Sequence, residues 1–370
     1  MRQVTMASSV NSLFNVNYLP TRLLHRNQEL VTLTNLFNSE IGTNEPINIL
    51  VHGSFGIGRT TLLRFFGQHE LSMYHRPFIN FHHKETDEII DDTLHALIPT
   101  VNNSMIFPER WTLIKRLIRK SETPLVFTFD DVSSQTIRVY SKFIKMCKEN
   151  GVSSMATAPL YFPRQLDGEM SRFLDVSLEL EPFTDHQFLD IIKQRVGEVF
   201  PHPITSQVTE FMADIICMLD FQRPATVVEL LQNLHPLISH TPVITANKIR
   251  QACLNSRTLH YDFWSGHLSS LTELDATTIL LLHAVGLYFT NHPGQIYVRQ
   301  SSLFNQYQQV AEEIGLHSTS SQFSRALNTL LFQDLLLRSR YDSQNYFTLL
   351  PAEGYIEIVE LLLGEYQLEQ

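Results

Sequence analysis

The sequence predicts an α/β fold with a mostly parallel sheet, followed by an all-helical unit and a C-terminal winged helix-turn-helix. Three observations predict it. Apolar runs of strand length alternate with amphipathic helical stretches from residue 22 to residue 182, the pattern of β–α–β units. From Thr184 the strand signals stop and helical patterns follow one another. After residue 273, three helical patterns lead into two short alternating runs around the turn Asp342–Asn345. A chain of 370 residues suits two or three domains. The expected spans are a lead-in at 1–21, an α/β domain at 22–183, a helical domain at 184–262 and a winged helix at 263–370.

Arg22 to Phe37 has apolar residues near helical spacing and predicts a helix entered at His25-Arg26, with Asn27 as its N-cap. Gly42 to Pro46 is a linker. Ile49, Leu50 and Val51 make Asn48–His52 a short buried strand. A glycine-rich turn follows, Gly53-Ser-Phe-Gly56-Ile-Gly58, and then Arg59-Thr60-Thr61 opens an apolar helix. This is the spacing of a phosphate-binding loop, with Arg59 where lysine is usual. Glycines let backbone N–H groups turn inward around an anion. The helix N-terminus adds partial positive charge. Thr60 is placed to offer its hydroxyl to Mg²⁺. A glycine-rich turn can be only a turn; the strand before it and the helix after it are the context the motif requires. Arg59 keeps the charge but not lysine's compact ammonium, so phosphate binding with weak hydrolysis is expected.

Arg76–Phe81 reads as a second strand and 84–98 as an acidic amphipathic helix. Trp111–Lys120 is basic and amphipathic, either a solvated helix face or a contact for DNA backbone or a partner. Leu125–Phe129 is a third strand, running into Asp130-Asp131. Asp130 would hold the Mg²⁺ shell. Asp131 stands where a water-polarising glutamate is usual, one methylene short, and a base must reach its proton. Ile137–Cys147 is a further basic helix. Ser153–Ala158 is the fourth strand, and Thr157 near its end is a candidate sensor of the terminal phosphate. Val176–Leu180 is strand-like. Helices are expected at Asp185–Val199, Ser206–Leu219, Pro224–Leu234 and Thr245–Leu254, then at Asp275–Thr290, Ser301–Ile314 and from Thr319. Leu335–Arg340 and Tyr346–Leu350 would form the wing.

The net charge is −10, so the whole-molecule field does not favour nucleic acid, and any DNA contact must be local or come from partner subunits. Cys147, Cys217 and Cys253 are widely spaced and read as buried thiols of a reducing compartment. The apolar run near Ile279 is broken by His283 and is too short for a bilayer, so no membrane partner is expected.

The order of these parts resembles the initiator branch of the AAA+ ATPases, the origin recognition complex and Cdc6 family. His25-Arg26-x-x-Glu29-Leu resembles its opening box, which closes over adenine; Gly53–Thr61 resembles its Walker A loop and Phe127–Asp131 its Walker B strand. Ser171-Arg172-Phe173 matches the end of its R-V-x-S-R-F stretch, with Gly168 where the first arginine stands. The resemblance implies ATP and Mg²⁺ as cofactors, bound in part by His25, Arg26 and Thr157. It implies that Arg172 reaches a neighbouring subunit's ATP site. It implies other AAA+ initiator subunits and double-stranded DNA, mainly its backbone, as partners, in a nucleus or, for an archaeal source, a cytoplasm. Arg223 precedes the third helix of the helical unit. It is either a solvated arginine or the basic lid residue returned to the nucleotide. The alternatives are a self-sufficient archaeal-type initiator ATPase, a signalling NTPase switch, or a scaffold that binds no nucleotide. From Gly266 to Gln370, four basic residues face eleven acidic ones, a net of −7, so the wing is expected to pack on a partner with few DNA contacts.

Overall fold

The computed structural model describes residues 13–14, 18–43, 45–99, 105–121, 123–166, 168, 170–200, 202–220, 222–238, 244–256, 271 and 274–368. Most of the 1–21 lead-in and the start of the 263–370 span lie outside them. The chain divides into two compact units, Val16–Phe183 and Thr184–Gln370 together with Met1–Asn15.

The first unit holds α1 (Asn27–Thr43), β1 (Asn48–Gly53), α2 (Arg59–His69), β2 (Phe78–Asn80), α3 (Thr86–Leu97), α4 (Phe107–Lys120), β3 (Val126–Asp130), α5 (Ile137–Glu149), β4 (Ser153–Pro159) and β5 (Val176–Leu180). Its five strands are all parallel, in the order β2-β3-β4-β1-β5. The order explains the sequence. β1, β3 and β4 lie inside the sheet and are buried along nearly their whole length, which is why they read as continuous apolar or small-residue runs. β5 is an edge strand, and its alternating exposure matches Val176-Ser-Leu-Glu-Leu. Phe81, Phe127, Phe129, Tyr140 and Phe143 form the aromatic centre of the core between the sheet and α3–α5.

Two elements differ from expectation here. The first helix starts at Asn27, one residue before the Gln28 start that an N-cap at Asn27 would give. His25 sits in the left-handed region at φ 55°, which stops the helix from beginning earlier, and Asn27 is the first helical residue, not the cap. The Arg26 carbonyl accepts the first helical bond, from Leu30 N–H at 3.0 Å. The second strand is only Phe78–Asn80. Pro77 has no N–H, and its carbonyl accepts from Thr128 at 2.9 Å.

The second unit opens with α6 (Asp185–Val199), α7 (Ser206–Asp220), α8 (Pro224–Ile238) and α9 (Ala246–Leu254). It continues with α10 (Ala276–Asn291), β6 (Val298–Arg299), α11 (Gln300–Glu313), α12 (Ser320–Phe332), β7 (Leu337–Arg338), β8 (Asn345–Phe347) and α13 (Ala352–Leu368). α6 starts where Thr184 and Gln187 exchange a capping box. The wing strands are shorter than expected, and they form an antiparallel sheet of three, β6-β8-β7. Three helices with this sheet make the winged helix-turn-helix. Buried polar contacts tie it to α7 and α9. Arg250 donates to the Thr348 carbonyl and hydroxyl, each at 3.0 Å. Asp214 accepts from the Tyr297 hydroxyl at 2.8 Å and from Arg340 N–H at 2.9 Å. Among the described residues, no helix is long and apolar enough to cross a membrane.

α13 was not anticipated. It packs on α10 at Gly286, where an added Cβ would lie 3.1 Å from Ile356 Cγ1 and 3.2 Å from Tyr355 Cβ. Gly286→Val is expected to destabilise this unit by about 1–3 kcal/mol through overpacking, measured by denaturant unfolding.

Candidate functional site

The site gathers at the C-terminal edge of the sheet, where β1, β3 and β4 end side by side. β1 ends at Gly53. An added Cβ there would lie 3.1 Å from the Leu180 carbonyl oxygen, so the turn must start on glycine. The chain then reverses through Gly56 at φ 76° and Gly58 at φ 97° and enters α2 at Arg59. Both glycines lie in the left-handed region that side chains disfavour. Gly58 caps α2 and, as glycine, brings no side chain of its own to the first-turn N–H groups, the groups an anion would take.

Three hydroxyl and carboxylate groups lock this turn to the strand ends. Thr60 Oγ1, in the first turn of α2, donates to Asp130 Oδ1 at 2.7 Å. Thr157 Oγ1, near the end of β4, donates to the same oxygen at 2.7 Å. Thr157 Oγ1 in turn accepts from Asp131 N–H at 2.7 Å. Asp130 and Thr157 are buried. Two hydroxyl donors on one oxygen make a buried carboxylate tolerable, because each replaces a lost water.

Asp131 lies one residue past β3 at φ 58°, a left-handed backbone that aspartate tolerates better than most residues. Its carboxylate has two partners. His82 Nδ1 pairs with Oδ2. Arg59 Nη2 lies 3.6 Å from Oδ1. Arg59 is only 8% exposed, and its Nη1 is buried without a hydrogen-bond partner. Burial pulls its guanidinium below the usual arginine range, opposed by the charges of Asp131 and then Asp130. An orphaned donor on a buried cation is the vacancy a phosphate oxygen satisfies, so the residues fit a nucleoside triphosphate. The fit for Mg²⁺ is through Thr60 and Asp130. One carboxylate and one hydroxyl leave the remaining positions to phosphate and water, the usual way Mg²⁺ is held beside phosphates.

The opening box lies close by. Arg26 Nη1 meets Glu29 Oε1 at 2.8 Å, and its Nη2 donates to the Glu181 carbonyl at 3.0 Å and reaches the Ile57 carbonyl at 3.5 Å. Its guanidinium stacks over Phe183, 3.9 Å from the ring centroid. Arg26 thus joins α1, the phosphate loop and the end of β5. Burial lowers its pKa, with Glu29 opposing. His25 is half-buried beside it, and Thr61 follows Thr60 in the first turn of α2.

Arg172 is exposed, in a 3-10 turn ahead of β5. β1 and β5 are parallel and paired from Ile49↔Val176 to Gly53↔Leu180. Arg172 therefore lies at the N-terminal edge of the sheet, about 13 Å of strand away from the phosphate loop. Arg223 belongs to the second unit, in the turn before α8, with its carbonyl accepting from Thr226 N–H at 3.0 Å. Sequence reasoning missed His82 and Phe183. His82 reaches Asp131 because β2 neighbours β3 with Asn80 opposite Asp130, a pairing no local pattern reveals. The Asn80 side chain, accepting from His82 N–H at 2.7 Å, is the one local signal.

Thr157→Val should destabilise the first unit by about 1–3 kcal/mol, because Asp131 N–H loses its acceptor and Asp130 one donor. Thr157→Ser should restore most of that stability; denaturant midpoints measure both.

No protein-family model matches the sequence, and no curated protein matches it. In fold, the chain is similar to the crystal structure of Cdc6p from Pyrobaculum aerophilum, with a TM-score of 0.80 at 18% identity over 96% of this chain and 98% of that one. It is also similar to the Aeropyrum pernix ORC2 protein in its ADPNP–ADP complexes, with a TM-score of 0.57 at 15% identity over 96% and 97% of the two chains. A third similarity is to the Aeropyrum pernix ORC1 protein in complex with DNA, with a TM-score of 0.56 at 17% identity over 94% and 95%. The chain therefore shares its fold with these Cdc6p and ORC proteins, an α/β domain with a parallel sheet followed by helices and a winged helix.

Proposed function

We propose that the chain is an ATP-binding subunit of a DNA replication initiator complex, most like the fourth subunit of an origin recognition complex. The observation that carries the reading is the set of Thr60, Asp130 and Thr157 joined at one carboxylate oxygen beside Arg59, whose Nη1 is buried without a partner. In this reading the loop from Gly53 to Thr61 and Arg59 hold the phosphates. Thr60 and Asp130 would hold Mg²⁺, which would supply positive charge against the phosphates. His25 and Arg26 border the base, with Arg26 fixing the entry of α1. Thr157 keeps Asp130 oriented. Asp131 is already engaged by Arg59 and His82, which leaves it poorly placed to activate a water, so intrinsic hydrolysis is slow.

The position of Arg172 supports action in trans. At the sheet edge away from its own phosphate loop, it would offer an exposed guanidinium to the ATP site of an adjacent AAA+ subunit. Partner subunits and duplex DNA follow from the initiator reading, as does a nuclear location. The 0.80 TM-score to the archaeal Cdc6p favours a second reading, a self-sufficient initiator ATPase.

ATP binding and turnover by the full chain with Mg²⁺ separate the two. The expected outcome is binding with negligible turnover, weakened about tenfold or more by Thr60→Ala. Arg172→Ala should leave this binding intact and lower turnover at the neighbouring site by roughly 10³-fold. Appreciable turnover by the lone chain would favour the second reading; absence of binding would overturn both.

A further inference from the structure

A DNA-binding subunit needs a cationic surface, and the acidic winged helix does not offer one. Helices α4 and α5 do. They carry nine of the chain's 28 Lys/Arg residues against two carboxylates, Glu109 and Glu149, in a chain of net charge −10. The crossovers β2–α4–β3 and β3–α5–β4 advance in the same direction along the sheet. Right-handed crossovers place both helices on one face. They pack side by side and run parallel. Trp111 meets the Phe143 ring edge-on with centroids 5.1 Å apart, and further along Arg119 Nε donates to Asn150 Oδ1 at 2.9 Å.

The buried stripes, Ile114 and Ile118 on α4 and Val139, Phe143 and Ile144 on α5, fix what faces water. On α4 that is Arg116, Arg119 and Lys120; on α5 it is Arg138, Lys142 and Lys145. The α5 row presents a cation on each of three successive turns, over about 10 Å. Adjacent helices lie about 8–10 Å apart, so the face offers two rows of positive charge. Arg110 pairs with Asp87 and Asp91 of α3, and Lys148 with Asp175. Among the described residues, Arg116, Arg119, Lys120, Arg138 and Lys142 have no carboxylate within ion-pair reach.

The chemistry of the face selects its partner. Protein interfaces centre on apolar and aromatic side chains and are depleted in lysine. None of the strongly exposed large apolar side chains lies on α4 or α5; Ile106 only precedes α4. A lysine- and arginine-rich face without an apolar centre fits phosphates. We propose that this face docks the phosphate backbone of duplex DNA without reading base sequence. The choice of duplex rests on the initiator reading above; the charge geometry does not.

The test uses the full chain and fluorescence anisotropy of two labelled duplexes of unrelated sequence, over a range of salt. In the variant R116Q/K120Q/R138Q/K142Q, affinity for both duplexes should fall at least tenfold. The log–log salt slope should shrink by about 3 to 4, near 0.9 for each lost phosphate contact. ATP binding should be unchanged in the same variant, which shows that it is folded. A control variant of the winged helix, R299Q/R325Q, should keep its DNA affinity. Unchanged DNA affinity in the fourfold variant, or a loss confined to the winged-helix variant, would overturn the proposal. So would an unmodified chain that ignores duplex DNA and binds polyglutamate through these residues, which would assign the face to an acidic protein partner. A chain that binds DNA here but not ATP would overturn the proposed function and leave this inference standing.

Discussion

A single carboxylate oxygen holds the site together. Asp130 Oδ1 accepts one hydroxyl from the first turn of α2 and one from the end of β4. β4 lies between β3 and β1, so Thr157 spans the gap that separates the acidic strand end from the strand feeding the phosphate loop. With no threonine on β4, Asp130 would keep only Thr60, and a buried carboxylate with too few donors is costly. The sheet order thus determines which residue can serve as the clamp. Thr157 also presents its oxygen to Asp131 N–H, so the same hydroxyl fixes the left-handed turn that follows β3.

The two departures from the usual phosphate-loop pattern are one feature in space. Arginine for lysine and aspartate for glutamate look, along the chain, like independent losses 72 positions apart. In the fold, Arg59 Nη2 stands 3.6 Å from Asp131 Oδ1. The longer, planar guanidinium reaches where an ammonium would stop short, and the shorter carboxylate leaves room for it. His82 supports the other oxygen. Arg59 feels the charge of Asp131 first and of Asp130 second, so part of its own charge is already offset within the protein.

Much of this was legible in the sequence where local chemistry decides local structure. Thr184, with Gln187 three residues on, marks the start of α6, and Val199 ends it where expected. The glycines and the apolar strand before them marked the strand-to-helix turn from β1 to α2. What escaped depends on tertiary contact. β6 has two residues, too few to carry a period, and exists because β8 pairs with it. α13 had a start signal in Pro351, but its place is set by the missing side chain at Gly286. His82 and Phe183 gain roles from partners 49 and 157 positions away.

The arginines of the winged helix show why its acidity matters. Arg340 reaches Asp185 at 3.4 Å, and its N–H donates to Asp214. Arg338 lies over the Tyr346 ring and donates to its hydroxyl at 3.3 Å. Arg325 stands 3.8 Å from Asp275 at an exposed position, where such a pair contributes little. Three of the four basic side chains beyond Gly266 therefore face partners within the same unit. On α4 and α5, Arg116, Lys120 and Arg138 are exposed, with no carboxylate within ion-pair reach among the described residues. A charge held by an internal partner must break that contact before it can serve a phosphate, whereas a solvated one gives up only water and counterions. On that difference, Arg116, Lys120 and Arg138 would give up less to meet a phosphate than Arg338 or Arg340 would.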